Sequence, residues 1–249
     1  MESVFKTDKG LVRQHNEDSG GIFRNSSGDL LAIVADGMGG HNAGDVASEM
    51  TIKELQKEWQ QTEMISTPDK AEEWLKTAIV KVNEKILSHS RENIECSGMG
   101  TTIVAAVCTS RFCTIANIGD SRCYILNENG FQKLTEDHSL VNELVRTGQI
   151  TKEDAEHHPR KNVLTKALGT EEEVAADVLS ITFEDGDYLL LCSDGLSNKV
   201  SEAKMEEVIK GELPLAEKAQ TLIDLANQEG GEDNITIVIL HQTAGSESG

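Results

Sequence analysis

Apolar positions along this chain fall into two periods. Continuous apolar runs of strand length stand at 30–35, 101–107, 112–118, 122–126, 178–183, 187–192 and 235–240. Such runs, rich in Val, Ile and Thr, predict short strands buried on both faces. A 3–4 spacing instead marks helices. Ile52, Leu55 and Trp59 share one face of a predicted helix over 44–60. Thr67-Pro68 reads as a helix start, a capping hydroxyl followed by proline at the first position. Leu75, Ala78, Ile79, Val82 and Ile86 follow it at regular spacing. Two more helices are expected over about 201–229. Asn129-Gly130 reads as a hairpin turn leading into a strand at 131–134. Residues 138–168 are polar, with two short helical pieces and the basic cluster His157-His158-Pro159-Arg160-Lys161. The last nine residues, 241–249, read as a loose tail.

Strands and helices therefore come in blocks rather than in strict alternation. That predicts an α+β fold with antiparallel sheets, not a doubly wound parallel sheet. No Gly/Ser or Pro-rich linker and no internal repeat divides the chain. Its 249 residues are read as a single domain over 1–240.

Charge then narrows the partners. The formal net charge is −20, which argues against nucleic acid or an anionic membrane surface, since both need a basic face. No apolar run is long enough to span a bilayer. The first residues lack a basic stretch followed by an apolar one, so no secretory signal is expected. The five cysteines, Cys96, Cys108, Cys113, Cys123 and Cys192, show no C-x-x-C spacing. They are expected to be buried free thiols in a reducing compartment, the cytoplasm. None is followed by Arg six positions on, as a cysteine phosphate loop would require.

The chemistry lies where apolar runs end. Residues 30–35 empty into Asp36-Gly37, a second run reaches Gly119-Asp120, and a third reaches Asp194-Gly195. Asp233 stands beside Asn234, directly before the final strand. Taken singly, each is an ordinary turn, because Asp tolerates turn geometry and Gly supplies positive φ. Taken together, acids at several strand ends can meet at one edge, and crowded carboxylates need a counter-charge. A divalent cation with hard oxygen ligands, Mg²⁺ or Mn²⁺, supplies it. Arg13 ahead of Asn16-Glu17-Asp18 offers a fork for a phosphate dianion. The loop Gly37-Met38-Gly39-Gly40-His41-Asn42-Ala43-Gly44 is a weak match to a dinucleotide fingerprint, with no acid at a strand end twenty residues on. A nucleotide-binding protein and a non-catalytic metal-binding regulator are the rival readings.

Eight motifs in order then carry a resemblance. They are Arg13 with Asn16-Glu17-Asp18, Val34-Ala35-Asp36-Gly37-Met38-Gly39-Gly40, Gly100-Thr101-Thr102, Asn117-Ile118-Gly119-Asp120-Ser121-Arg122, Leu134-Thr135-Glu136-Asp137-His138-Ser139, Leu164-Thr165-Lys166-Ala167-Leu168-Gly169, Ser193-Asp194-Gly195 and Glu232-Asp233-Asn234. Over about residues 2–240 the chain resembles the PPM/PP2C family of metal-dependent protein phosphatases, in its bacterial stand-alone form.

The resemblance implies a sandwich of two antiparallel β-sheets flanked on both sides by α-helices, with residues 138–168 as a flap beside the site. It implies hydrolysis of phosphoserine and phosphothreonine on proteins by direct attack of a hydroxide bridging two ions, Mn²⁺ or Mg²⁺. Asp36 would bridge the ions, the Gly37 carbonyl would join it on one, and Asp194 and Asp233 would hold the other. Asp120 would share a weaker third ion with Asp194. Glu17 and Asp18 would hold metal-bound waters, Asn234 would orient Asp233, and Arg13 would bind the substrate phosphate. Many eukaryotic members carry His where this chain has Met38, which cannot donate a proton. The general acid is left between His41 and a metal-bound water. The partners implied are phosphoprotein substrates and a cognate bacterial Ser/Thr kinase, with the chain acting as a monomer.

Overall fold

The computed structural model describes residues 1–40 and 43–243. Its strands are β1 (Glu2–Asp8), β2 (Asp18–Arg24), β3 (Leu30–Met38), β4 (Gly100–Thr101), β5 (Ile103–Cys108), β6 (Phe112–Ile118), β7 (Arg122–Asn127), β8 (Gly130–Lys133), β9 (Asp177–Thr182), β10 (Tyr188–Cys192) and β11 (Ile235–His241). The helices are α1 (Ala43–Gln60), α2 (Pro68–Glu92), α3 (Leu140–Arg146), α4 (Lys152–Glu156), α5 (Asp194–Ser197), α6 (Glu202–Lys210) and α7 (Leu215–Gln228). One sheet runs β1-β11-β10-β7-β8 and the other β2-β3-β5-β6-β9, with β4 paired to the end of β3. Every pairing is antiparallel.

Alternation explains why the strands read as unbroken apolar runs. Leu30, Ala32 and Val34 of β3 meet Leu189, Leu191, Val238 and Leu240 between the sheets. The intervening Leu31, Ile33 and Ala35 face the other way, onto Leu55, Trp59, Leu75 and Ile79 of α1 and α2. On the second sheet, Ile235, Ile237 and Ile239 pack outward against Leu222, Ile223 and Ala226 of α7 and Met205 of α6. Both faces of each sheet are thus covered, giving four layers. Cys108, Cys113, Cys123 and Cys192 are buried free thiols, and Cys96 is half-buried.

The predicted α2 start is present, with the Thr67 side chain accepting from the Lys70 N–H. Several features differ from the sequence reading. The hairpin turn falls on Glu128 and Asn129, since Gly130 already pairs with Asn127. The Asn127 side chain closes that turn by accepting from the Asn129 N–H at 2.9 Å. The final strand runs through His241, and Gln242 is buried, its amide reaching the Ser110 carbonyl at 3.2 Å. The expected loose tail therefore does not begin at 241. Finally, β1 and β2 carry no apolar run. The first is an edge strand that is nowhere fully buried, and the second contains Gly20 and Gly21.

Candidate metal centre

Six chain ends meet at one end of the sandwich. The end of β1 pairs with the start of β11 (Asp8 opposite Ile235), and the start of β2 pairs with the end of β3 (Asp18 opposite Asp36). The end of β10 lies between the start of β7 and β11, with Cys192 opposite Arg122 and Ile237. Loop 9–17, carrying Arg13, crosses from one sheet to the other there. The β6–β7 turn, carrying Asp120, makes a second crossing.

Two glycines let these ends approach. A Cβ on Gly37 would stand 2.0 Å from the Gly44 carbonyl oxygen and 2.6 Å from that of Glu17. A Cβ on Gly195 would stand 2.0 Å from the Asn234 carbonyl oxygen. Any side chain at either position would push two backbones apart, so each Asp-Gly is a packing requirement here and not simply a turn.

The result is a crowd of carboxylates. Asp18 is buried, and Asp36, Asp120, Asp194 and Asp233 are half-buried around it. Burial, then the charges of Asp18, Asp194, Asp120 and Asp233, push the Asp36 carboxyl well above the usual range. Burial raises Asp18 to about 7, against the pull of hydrogen bonds from Ser193 and Thr236. Burial and the charge of Asp194, then of Asp137, raise Asp120 to about 7. Asp194 is raised by burial and by Asp233, offset partly by hydrogen bonds from Asp36 and Asn198 and by the Arg122 charge. Glu17 is raised by burial, with Arg13 opposing. These are like charges held together in a poorly solvated place, which a divalent cation would relieve.

Neutral groups and one arginine do the holding. Ser193 Oγ donates to Asp18 Oδ2 at 2.7 Å, and Asp18 Oδ1 is buried with no partner among the described residues. Asn198 Nδ2 donates to Asp194 Oδ2 at 3.0 Å. Arg13 Nη2 donates to Asp233 Oδ2 at 2.8 Å, and its Nε reaches the Glu232 carbonyl at 3.3 Å. Both side chains of that pair are more than a third exposed, so the guanidinium stands at the mouth of the site. Among the described residues no three His, Cys, Asp or Glu side chains form a closed coordination set. The carboxylates crowd one another without yet converging on one point.

Asn234 meets Asp233 through its backbone and does more with its side chain. Its backbone N–H donates to Asp233 Oδ1 at 2.9 Å. Its side chain instead staples loop 9–17, donating to the Lys9 and His15 carbonyls at 2.9 and 3.0 Å and accepting from the Glu17 N–H at 2.8 Å. Asn234 therefore holds the Asp233 side chain through its backbone and the loop that carries Arg13 and Glu17 through its side chain. His41 lies outside the described residues.

Sequence reasoning missed the supports. Arg122 grips Asp137 through Nε at 3.1 Å and Nη2 at 2.7 Å, and Lys133 adds a third contact at 3.3 Å. His138 holds Gly119 twice: its backbone N–H donates to the Gly119 carbonyl at 2.9 Å, and its Nδ1 accepts from the Gly119 N–H at 3.1 Å. That fixes the proton on Nε2, which lies 3.2 Å from Asp177 Oδ2. Segment 138–168 is thereby rooted on the turn that carries Asp120. The signal was present in Asn117–Arg122 and Leu134–Ser139, but nothing in the spacing says that they touch.

Comparison with known proteins identifies the family and the fold. The family model for protein phosphatase 2C matches residues 11–233. A serine/threonine phosphatase stp of Listeria monocytogenes is 50% identical over 242 residues, covering 97% of this chain and 96% of that protein. The structure of the S. agalactiae serine/threonine phosphatase superposes with a TM-score of 0.92 at 42% identity, covering 96% of this chain and 98% of the other. The catalytic domain of the serine/threonine protein phosphatase PstP, in complex with two manganese ions, superposes with a TM-score of 0.82 at 35% identity, covering 96% of each chain. Among the described residues no helix is long and apolar enough to cross a membrane. With the eight motifs gathered at one end of a four-layer sandwich, and a match that spans nearly the whole sequence, this chain belongs to the protein phosphatase 2C family.

Proposed function

We propose that this chain removes phosphate from phosphoserine and phosphothreonine in proteins, and that divalent cations at the crowded end of the sandwich drive the reaction. The observation that carries this reading is the carboxylate crowd itself. Asp18, Asp36, Asp120 and Asp194 all have raised proton affinity, and burial and one another's charge are the cause. The buried, unpartnered Asp18 Oδ1 and an all-oxygen donor set suit Mn²⁺ or Mg²⁺.

On this reading two ions are held by Asp36, the Gly37 carbonyl, Asp194 and Asp233. A weaker third lies at Asp120 and Asp194, and Glu17 and Asp18 act through intervening water. When bound, the ions supply hydroxide at neutral pH and neutralise charge on the phosphoryl oxygens. The chain's own groups do the rest. Arg13, at the mouth and fixed through Asn234, turns its fork to the equatorial phosphate oxygens, where charge accumulates in the transition state. Its hydrogen bond to Asp233 keeps that fork beside the carboxylates until the phosphate arrives. Ser193 and Asn198 keep Asp18 and Asp194 aimed inward. The proton for the departing alkoxide would come from His41 or from a metal-bound water.

Residues 1–240 act as one catalytic unit, with 138–168 as a flap over its edge. A bacterial Ser/Thr kinase would supply the substrates, and the free thiols suit the cytoplasm. The test is hydrolysis of p-nitrophenyl phosphate and a phosphothreonine peptide by metal-stripped protein, with and without added Mn²⁺. The reading predicts turnover only with the ion. Turnover by both rival classes, a metal-binding regulator or a nucleotide-binding protein, would be absent.

A further inference from the structure

Behind the carboxylates lie two hydroxyls that the functional reading does not use. Thr102 and Ser121 are 2% and 0% exposed. Thr102 grips Asp36 on both sides of its backbone. The Thr102 N–H donates to the Asp36 carbonyl at 2.9 Å, and Thr102 Oγ1 accepts from the Asp36 N–H at 3.0 Å. The same Oγ1 lies 2.8 Å from Ser121 Oγ. Ser121 directly follows Asp120, and the Thr102 methyl packs on Gly119, which directly precedes it.

One residue thus touches the strand end that carries Asp36 and the turn that carries Asp120. A threonine hydroxyl has one proton and two lone pairs. One lone pair takes the Asp36 N–H. The remaining lone pair or the proton meets Ser121, and either arrangement leaves both hydroxyls satisfied in a buried place. Asp36 and Asp120 repel each other, so a tie between their backbones resists the direction in which the turn would relax. From this geometry we infer that Thr102 and Ser121 are positioning residues: they set the separation of Asp36 and Asp120, and through it the affinity of the site for its divalent cation. This rests on the functional reading above.

The test is Mn²⁺ binding to metal-stripped protein by titration calorimetry, with thermal melts of the same metal-free samples. Thr102→Val keeps the shape and removes the hydroxyl. It is expected to weaken Mn²⁺ binding about 10- to 100-fold, the usual cost of losing an outer-shell partner. Ser121→Ala should weaken it comparably, and the double variant no more than the worse single one, because both break one link. Thr102→Ser keeps the hydroxyl and should restore binding. Activity lost at limiting Mn²⁺ should return as Mn²⁺ is raised. Unchanged Mn²⁺ affinity in Thr102→Val and Ser121→Ala, with or without a lowered melting temperature, overturns the inference and leaves a packing role. If Thr102→Val does not fold, Ser121→Ala decides. A wild-type chain that binds no Mn²⁺ overturns the functional reading itself.

Discussion

Asp137 and Asp36 are carboxylates in the same sandwich, and both have lost much of their contact with water, yet their surroundings are opposite. Asp137 meets Arg122 through two guanidinium nitrogens and Lys133 through a third contact. Its charge is compensated inside the fold. Asp36 faces Asp18, Asp194, Asp120 and Asp233, and no cationic side chain contacts it among the described residues. The first arrangement is complete as it stands. The second is a set of oxygens whose charge the chain does not balance, and balance must come from outside. The difference separates an acid that builds the protein from acids that equip it, and each of the following experiments either breaks or sharpens that division.

The largest effect is expected on activity. Asp36→Asn and Asp194→Ala should each lower kcat/KM by more than about 100-fold, beyond the loss typical of outer-shell changes. In a metal-free melt Asp36→Asn should raise the melting temperature, since it relieves repulsion. Asp137→Asn should do the reverse. It leaves Arg122 partly buried and unpaired, and a denaturant titration should show a loss of about 3 kcal/mol. If Asp36→Asn destabilised the metal-free protein as much as Asp137→Asn, the division would fail.

Next comes Arg13. Arg13→Ala should reduce kcat/KM for a phosphopeptide by roughly 10- to 100-fold, the worth of a charge-assisted hydrogen bond to phosphate. Steady-state kinetics at saturating Mn²⁺ would measure it.

A smaller effect is expected on pH dependence. Asp18 and Asp120 rise from 3.8 to about 7 on folding. The folded state then binds protons that the unfolded state releases. The stability from these groups is fully present below about pH 4 and is lost as pH rises through about 7. Metal-free protein should therefore melt higher at pH 6 than at pH 8, and Mn²⁺ should reduce or reverse that difference. A melting temperature that rises with pH over this window, without metal, would contradict it. The smallest effect is at the surface: breaking the exposed Lys53–Glu49 pair by Lys53→Ala should cost no more than about 0.5 kcal/mol.

How much of this was legible in the sequence follows the same line. The strands of the core were legible because both faces of β3, β5, β10 and β11 are buried, which makes their runs continuously apolar. The partly exposed edge strand β1 and the glycine-containing β2 gave no such run, although β2 brings Asp18 beside Asp36. The acids at strand ends were visible as Asp-Gly pairs, and their order matched a family pattern. Their supports were not visible. Ser193 reaches Asp18 across 175 residues, and Asn234 reaches Glu17 across 217. Contacts of that range depend on topology, and local spacing carries no trace of them. Asn234 shows both ranges: its backbone N–H meets the neighbouring Asp233, while its side chain serves a loop at the other end of the sequence.

The measurement that bears most directly on the central claim is phosphothreonine-peptide hydrolysis by metal-stripped protein as free Mn²⁺ is raised, with Asp36→Asn run in parallel. The account predicts no turnover in excess chelator, turnover that rises and saturates with Mn²⁺ in the wild type, and little at any Mn²⁺ concentration in the variant. Full turnover after exhaustive chelation, or a variant that matches the wild type, would contradict it.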